Sequence, residues 1–337
     1  MINLLNILAG VAIPLWLGYL LTTLLAPRGL FKTLPQLAIG YGLGIGVLSQ
    51  VMLILGILEI PLNLHNIRLP LICFITLLTI YYYIKMRELN SLQEKPAQSF
   101  NPSFPQQCLM FLMYLYIGYN ILFMLWRTFY FPIQHWDAIA TIGFKAKVIF
   151  FDQTIHRLNL PWGSYPLLVP FTESWTAFNL GYWDDILVKT PFPLFSISFL
   201  IIQYSFVKNV TNKLGGMFSL CLTLSSSFYI IHSGIGYREI VVCYYTCVSV
   251  ILLLMWNKNP HTGLLILASF FAGFMTFTKL EGTGYLFILY VLFLFILKRK
   301  KDLTFPDKTK HLVYFILPGF SICFIFHLYK YFINVAN

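Results

Sequence analysis

Read in windows of about 19 residues, the chain is a succession of apolar blocks separated by short polar segments. A helix needs roughly 20 residues to cross a hydrocarbon layer. Blocks of that length lie near residues 3–25, 37–58, 67–84, 108–130 and 186–207. Five more lie near 214–231, 239–256, 263–277, 283–297 and 312–332. They lack the strict alternation of an outer-membrane barrel strand. Lipid offers backbone groups no hydrogen-bond partner, so the blocks must be helices. The pattern predicts an all-α integral membrane protein with about ten transmembrane helices. It also predicts a long non-crossing outer loop at 131–185, built of helices lying in the interface.

Composition agrees with the pattern. Of 337 residues, 58% are hydrophobic and 10% charged, where a soluble domain carries about 25% charged residues. The net charge of +11 would suggest nucleic acid in a soluble protein, but no basic nucleic-acid module is present and none is predicted as a partner. All six cysteines lie in or beside apolar blocks, where Cys acts as a small hydrophobe. Cys243 and Cys247 share a helix face, but with no His on that helix they read as packing. No metal site is read, and a divalent-metal requirement stays open. The block at 3–25 lacks a basic leader and is too long for a signal-peptide core, so it is expected to remain as the first span.

Alternating the blocks sorts the loops into two sets, and cytoplasmic loops are the ones that keep Lys and Arg. One set holds Arg28, Lys32, Lys85, Arg87, Lys95, Lys208, Lys213, Lys258, Lys298, Arg299, Lys300, Lys301, Lys308 and Lys310. Its only acids are Glu88, Glu94, Asp302 and Asp307. The other set carries the remaining eight acids: Glu59, Asp137, Asp152, Glu173, Asp184, Asp185, Glu239 and Glu281. The basic set is assigned to the cytoplasm, which leaves both chain ends outside and puts the Asn209-Val210-Thr211 sequon where it stays unmodified. A multi-pass protein of the plasma (inner) membrane with a one-sided, extracytoplasmic site follows. Two parts are expected: 1–107, three spans and a cytoplasmic loop, and 108–337, the core that includes the outer loop.

The outer loop opens with HWDAIATIGFKAKVIFF at 135–151, amphipathic at about 100° per residue. Its acid and lysines are expected to face the headgroups, with Lys145 and Lys147 diverging and Phe144 awkwardly placed under Asp137. Asp137 has two readings: a carboxylate meeting lipid phosphate and water, or a helix N-cap. SYPLLVPFTESW at 164–175 is too short to cross and should lie flat or re-enter. Glu173 within it is either a site residue or, more in keeping with an interfacial position, a solvated anchor. Two helix mouths carry further ionisable groups: GYREI with Arg238 and Glu239, and TKLEG with Lys279 and Glu281. Charges at such depth usually face a cavity or one another, although long side chains also snorkel. His135 and His232 are acid, base or ligand candidates, or satisfied interfacial histidines.

HWDA with its trailing KAK, then SYPLLVP, then TKLEG resembles, in that order, the membrane glycosyltransferases of the GT-C superfamily. The similarity is to the bacterial relatives of dolichyl-phosphate-mannose protein mannosyltransferases, and it spans roughly half the chain. The resemblance implies a sugar donor carried on a polyprenyl phosphate and a glycan, lipid or protein acceptor in the cell envelope. It also implies an acid of the first outer loop, here Asp137, acting on the acceptor. Lys145, Lys147, Arg238 or Lys279 would then stabilise the departing phosphate, with one carboxylate sufficient for inversion. His135, Glu173, Glu239 and Glu281 are the remaining substrate-binding candidates. The sequence departs from the family at Tyr237-Arg238-Glu239, where relatives carry a small residue and Asp, and in its short C-terminus. A lipid or polysaccharide transporter or flippase and a non-catalytic membrane scaffold are the competing readings.

Overall fold

The computed structural model describes residues 2–87, 103–156, 165–301 and 303–335, and among them every regular element is helical. Glu88, Glu94, Lys95, Ser164 and Asp302 lie outside the described residues. In chain order the helices are α1 (Ile2–Leu25), α2 (Thr33–Ile57), α3 (Leu64–Arg87), α4 (Phe104–Tyr130), α5 (Phe144–Asp152) and α6 (Leu168–Leu180). They continue with α7 (Pro191–Val210), α8 (Lys213–Leu224), α9 (Ser227–His232), α10 (Arg238–Lys258), α11 (Thr262–Thr278), α12 (Gly282–Arg299) and α13 (Phe305–Val335).

Eight of these, α1 to α4, α7, α10, α12 and α13, are long and apolar enough to cross a membrane, so the protein is a multi-pass membrane protein. The structure departs from the ten-block pattern in two places. The block at 214–231 is interrupted: Ser225 Oγ donates back to the Leu222 carbonyl at 2.7 Å, and Ser226 Oγ accepts from the Tyr229 N–H at 3.4 Å. Hydroxyls that bond their own backbone in this way compete with helix continuation. The second departure is α11, whose 17 residues make a rod of about 25 Å, at the lower limit of what crosses a hydrocarbon layer.

The glycine string IGYGLGIG makes α2 the centre of the bundle. On one face, a Cβ at Gly44 would stand 1.7 Å from the Pro14 carbonyl, and one at Gly18 would stand 1.8 Å from the Gly40 carbonyl. Bare backbone is what lets α1 and α2 touch. On the other face, the rings of Tyr244 and Phe274 occupy the space that Cβ atoms at Gly42 and Gly46 would need. Tyr244 and Tyr245 then donate to the Ala38 and Gly42 carbonyls at 2.7 and 2.8 Å. One apolar core, including Leu17, Leu43, Phe195, Phe271 and Phe315, runs unbroken across residue 107.

All thirteen residues of α6 are buried, so this segment re-enters the protein. Its Pro170 lies in the first turn, where a missing N–H costs nothing. It packs on α1, α2, α5 and α11, and Trp175 Nε1 donates to the Gly10 carbonyl at 2.7 Å. Helix ends sort into two clusters. Lys300 Nζ donates to the Asn257 carbonyl at 2.7 Å, joining the α10 and α12 ends that carry cations. The 131–156 segment, α6 and the starts of α7, α10 and α12 gather at the opposite, acid-bearing end.

Candidate functional site

The site begins where α4 ends. The chain turns at Phe131, becomes helical at Trp136 and winds as a π-helix over Ala138–Gly143 before α5. In this wider i→i+5 winding Gly143 comes close to the residue five before it: a Cβ there would lie 2.8 Å from the Ala138 carbonyl. Asp137 stands exposed at the start of this helix and makes no side-chain capping bond. Its carboxylate is therefore not occupied as an N-cap. It lies within electrostatic reach of Tyr237 and Arg238; burial and then the Asp137 charge raise the Tyr237 phenol above its ordinary range.

The π segment corrects the expected placement of Lys145. An uninterrupted α-helix would aim it at the headgroups, but the side chain is 2% exposed, and its Nζ donates to the Tyr165 carbonyl at 3.3 Å. Arg238, 6% exposed, comes from the other side. Its guanidinium lies 4.7 Å from the centre of the Tyr165 ring, and Lys145 Nζ lies 5.8 Å from the same centre. Nη2 of Arg238 reaches Thr141 only at 3.5 Å, and Nε has no hydrogen-bond partner among the described residues. Two buried cations thus lie against one aromatic ring, an arrangement that suits phosphate. Burial, then the nearby Arg238 and Lys330 charges, lower Lys145 to about 7.

Glu173 is the second correction. It is not a solvated anchor: it is fully buried on α6, and neither carboxyl oxygen finds a hydrogen-bond partner among the described residues. Burial raises its pKa well above the carboxylate range, against the pull of Arg238. The carboxyl lies against the α9–α10 turn, where a Cβ on Gly236 (φ +84°) would be 3.6 Å from Oε1. Lys189, at the head of α7, is also buried and donates to the carbonyls of Thr128 and Gly234 at 2.8 and 3.2 Å and to that of Phe131. Lys189 and Tyr165 were not singled out from the sequence. A lone Lys preceding a span reads as a snorkelling anchor, and Tyr165 reads as one more interfacial aromatic.

The remaining candidates surround this centre. Lys279 bridges Glu239 and Glu281 at 3.2 and 3.5 Å; burial opposes its charge, yet the two carboxylates raise its pKa overall. Lys147 diverges from Lys145 as expected, pairing with Asp185 at 3.1 Å beside Trp183. His135 and His232 both pack edge-on against Tyr237, with centroids at 5.7 and 5.6 Å. His232 Nδ1 is 2.9 Å from the Phe228 carbonyl, so one of its ring nitrogens is engaged by backbone. Cys243 and Cys247 lie 4.0 Å apart in α10. Among the described residues no three His, Cys, Asp or Glu side chains come together. Comparison with family models, with curated proteins and with solved structures gives no match.

Proposed function

We propose that this protein is a membrane glycosyltransferase of the GT-C kind, moving a sugar from a polyprenyl-phosphate donor to an acceptor hydroxyl on the extracytoplasmic face of the plasma membrane. The observation that carries the reading is the uncapped, exposed Asp137 within electrostatic reach of Arg238, which together with Lys145 lies against the Tyr165 ring to form a buried cation pair. A carboxylate open to an acceptor and cations set in a poorly hydrated wall are the two requirements of displacement at a glycosyl phosphate.

In this mechanism the donor phosphate rests on Arg238 and Lys145. The acceptor oxygen attacks the anomeric carbon from the opposite face while Asp137 takes its proton. The bond from that carbon to the phosphate oxygen breaks, and its electron pair leaves on the phosphate, which the two cations neutralise. One displacement inverts the anomeric configuration. The Glu239–Lys279–Glu281 bridge, next to Arg238 in the chain, ties the α11–α12 turn to the start of α10. The topology that accompanies this reading counts α11 and the α8–α9 pair as crossing, giving ten spans and an outer location for the cluster. Reporter fusions after Ile84 and Leu297 test it, and an outer signal at either would invert it.

The direct test is transfer of radiolabelled sugar from polyprenyl-phosphate donor by the reconstituted full chain. Label joined covalently to acceptor supports the enzyme. Movement of intact donor across the bilayer without transfer supports the flippase reading, and binding without either supports a scaffold.

A further inference from the structure

The opposite end of the bundle holds a cavity that the catalytic reading does not use. It measures about 230 Å³ and opens between the start of α2 and the ends of α7 and α10. A single water needs roughly 10–15 Å³ by the same kind of measure, so the space is far larger than a hydration site. Its walls are apolar, among them Phe31, Ile39, Ile202, Val248, Ile251 and Met255. An apolar cavity stays dry or takes an apolar guest. All three helices that form it are long and apolar enough to cross a membrane, and the lining reaches the ends of two of them.

Its polar residues cluster at one edge. Among the described residues of the lining Lys258 is the only charged one, with the amides of Asn209 and Asn259 also in it. Lys258 is exposed. An apolar groove ending in a cation and amide donors fits an amphiphile with a hydrocarbon chain and an anionic head. Basic pockets between spans on the cytoplasmic side bind anionic lipid headgroups in this way.

We infer that this groove is a binding site for an anionic phospholipid of the adjoining leaflet, one acyl chain lying along α7 and α10 and the phosphate on Lys258. The site is independent of the chemistry at the other end. The experiment presents purified full-length protein in detergent with equimolar phosphatidylglycerol and phosphatidylcholine of matched chains and counts retained lipid by native mass spectrometry. One well-placed lysine predicts a phosphatidylglycerol preference of about five-fold. Lys258→Gln should erase that preference while total retention persists, and Ile251→Trp should lower retention of both lipids by filling the groove. Equal retention of the two lipids by the wild type overturns the inference, as does unchanged retention in a folded Ile251→Trp. Displacement of phosphatidylglycerol by polyprenyl phosphate also overturns it, assigning the groove to an isoprenoid carrier. If Ile251→Trp melts early, Ser205→Trp at the groove's edge is read by the same criteria.

Discussion

The two ends of the bundle treat charge in opposite ways. At the basic end, Lys32, Lys208, Lys258, Lys298, Arg299 and Lys301 are all exposed, and no described cation there is buried. At the acid-bearing end, Lys145, Glu173, Lys189 and Arg238 have between 0% and 6% of their surface accessible. Solvated cations cost the fold little, whereas a buried ion loses several kcal/mol of hydration that its partners must return. Charge at the basic end is the kind of signal that orients a chain in the membrane. Charge at the other end is held in place against its own hydration, the usual mark of a site.

The sharpest way to test that contrast is Asp137→Asn, which leaves the shape of the acid-bearing end intact. Sugar transfer by the reconstituted variant should fall about 10²- to 10⁴-fold, with its melting temperature unchanged; wild-type turnover would remove Asp137 from catalysis. Next in size is Lys189→Met. It strands the carbonyls of Thr128, Phe131 and Gly234, and at 1–3 kcal/mol for each buried unpaired group a loss of at least about 3 kcal/mol is expected in thermal unfolding.

A pH titration separates the two ends more finely. Lys145 loses its proton near 7, against an ordinary value of 10.5, so affinity for the phosphodiester donor should decline as pH rises through about 7. Lys145→Arg should flatten that profile. The effect on stability has the opposite sign. Between about 7 and 10.5 the unfolded chain holds a proton that folded Lys145 has released, so this group's penalty shrinks as pH rises.

Glu173→Gln tests whether burial keeps that carboxyl protonated. The infrared band of a protonated acid should vanish in the variant, with stability changed by less than about 1 kcal/mol; absence of the band in the wild type would refute it. The smallest effect belongs to the basic end, where Lys298→Gln should alter stability by under about 0.5 kcal/mol.

Much of this contrast is legible in the order of residues. The apolar blocks reveal a multi-pass helical protein, and the loop charges separate the two ends. Asp137, Arg238, Lys279, Glu239 and Glu281 stand out as ionisable groups at helix mouths. Three features escape because they depend on what a periodic pattern cannot encode. The π segment shifts everything after Gly143 relative to an ideal α-helix, so the burial of Lys145 is invisible at 100° per residue. Glu173 sits between aromatic and hydroxyl residues that are equally at home in an interface or a core, and only the packing of α6 on α1 and α2 decides between them. Ser225 and Ser226 are too few to lower the mean hydropathy of their window, yet they suffice to split α8 from α9.

The glycine face of α2 bears on how the protein is assembled. A chain made from its N-terminus places α1 and α2 in the bilayer long before residue 238 exists, and the hollows at Gly42 and Gly46 then have no rings to fill them. Tyr244 and Phe274 arrive after that hairpin has been made and close it, so a later part of the polypeptide completes an earlier one. A nascent chain halted before α10 would present an unfinished helix surface to lipid and to whatever surveys membrane proteins in the making.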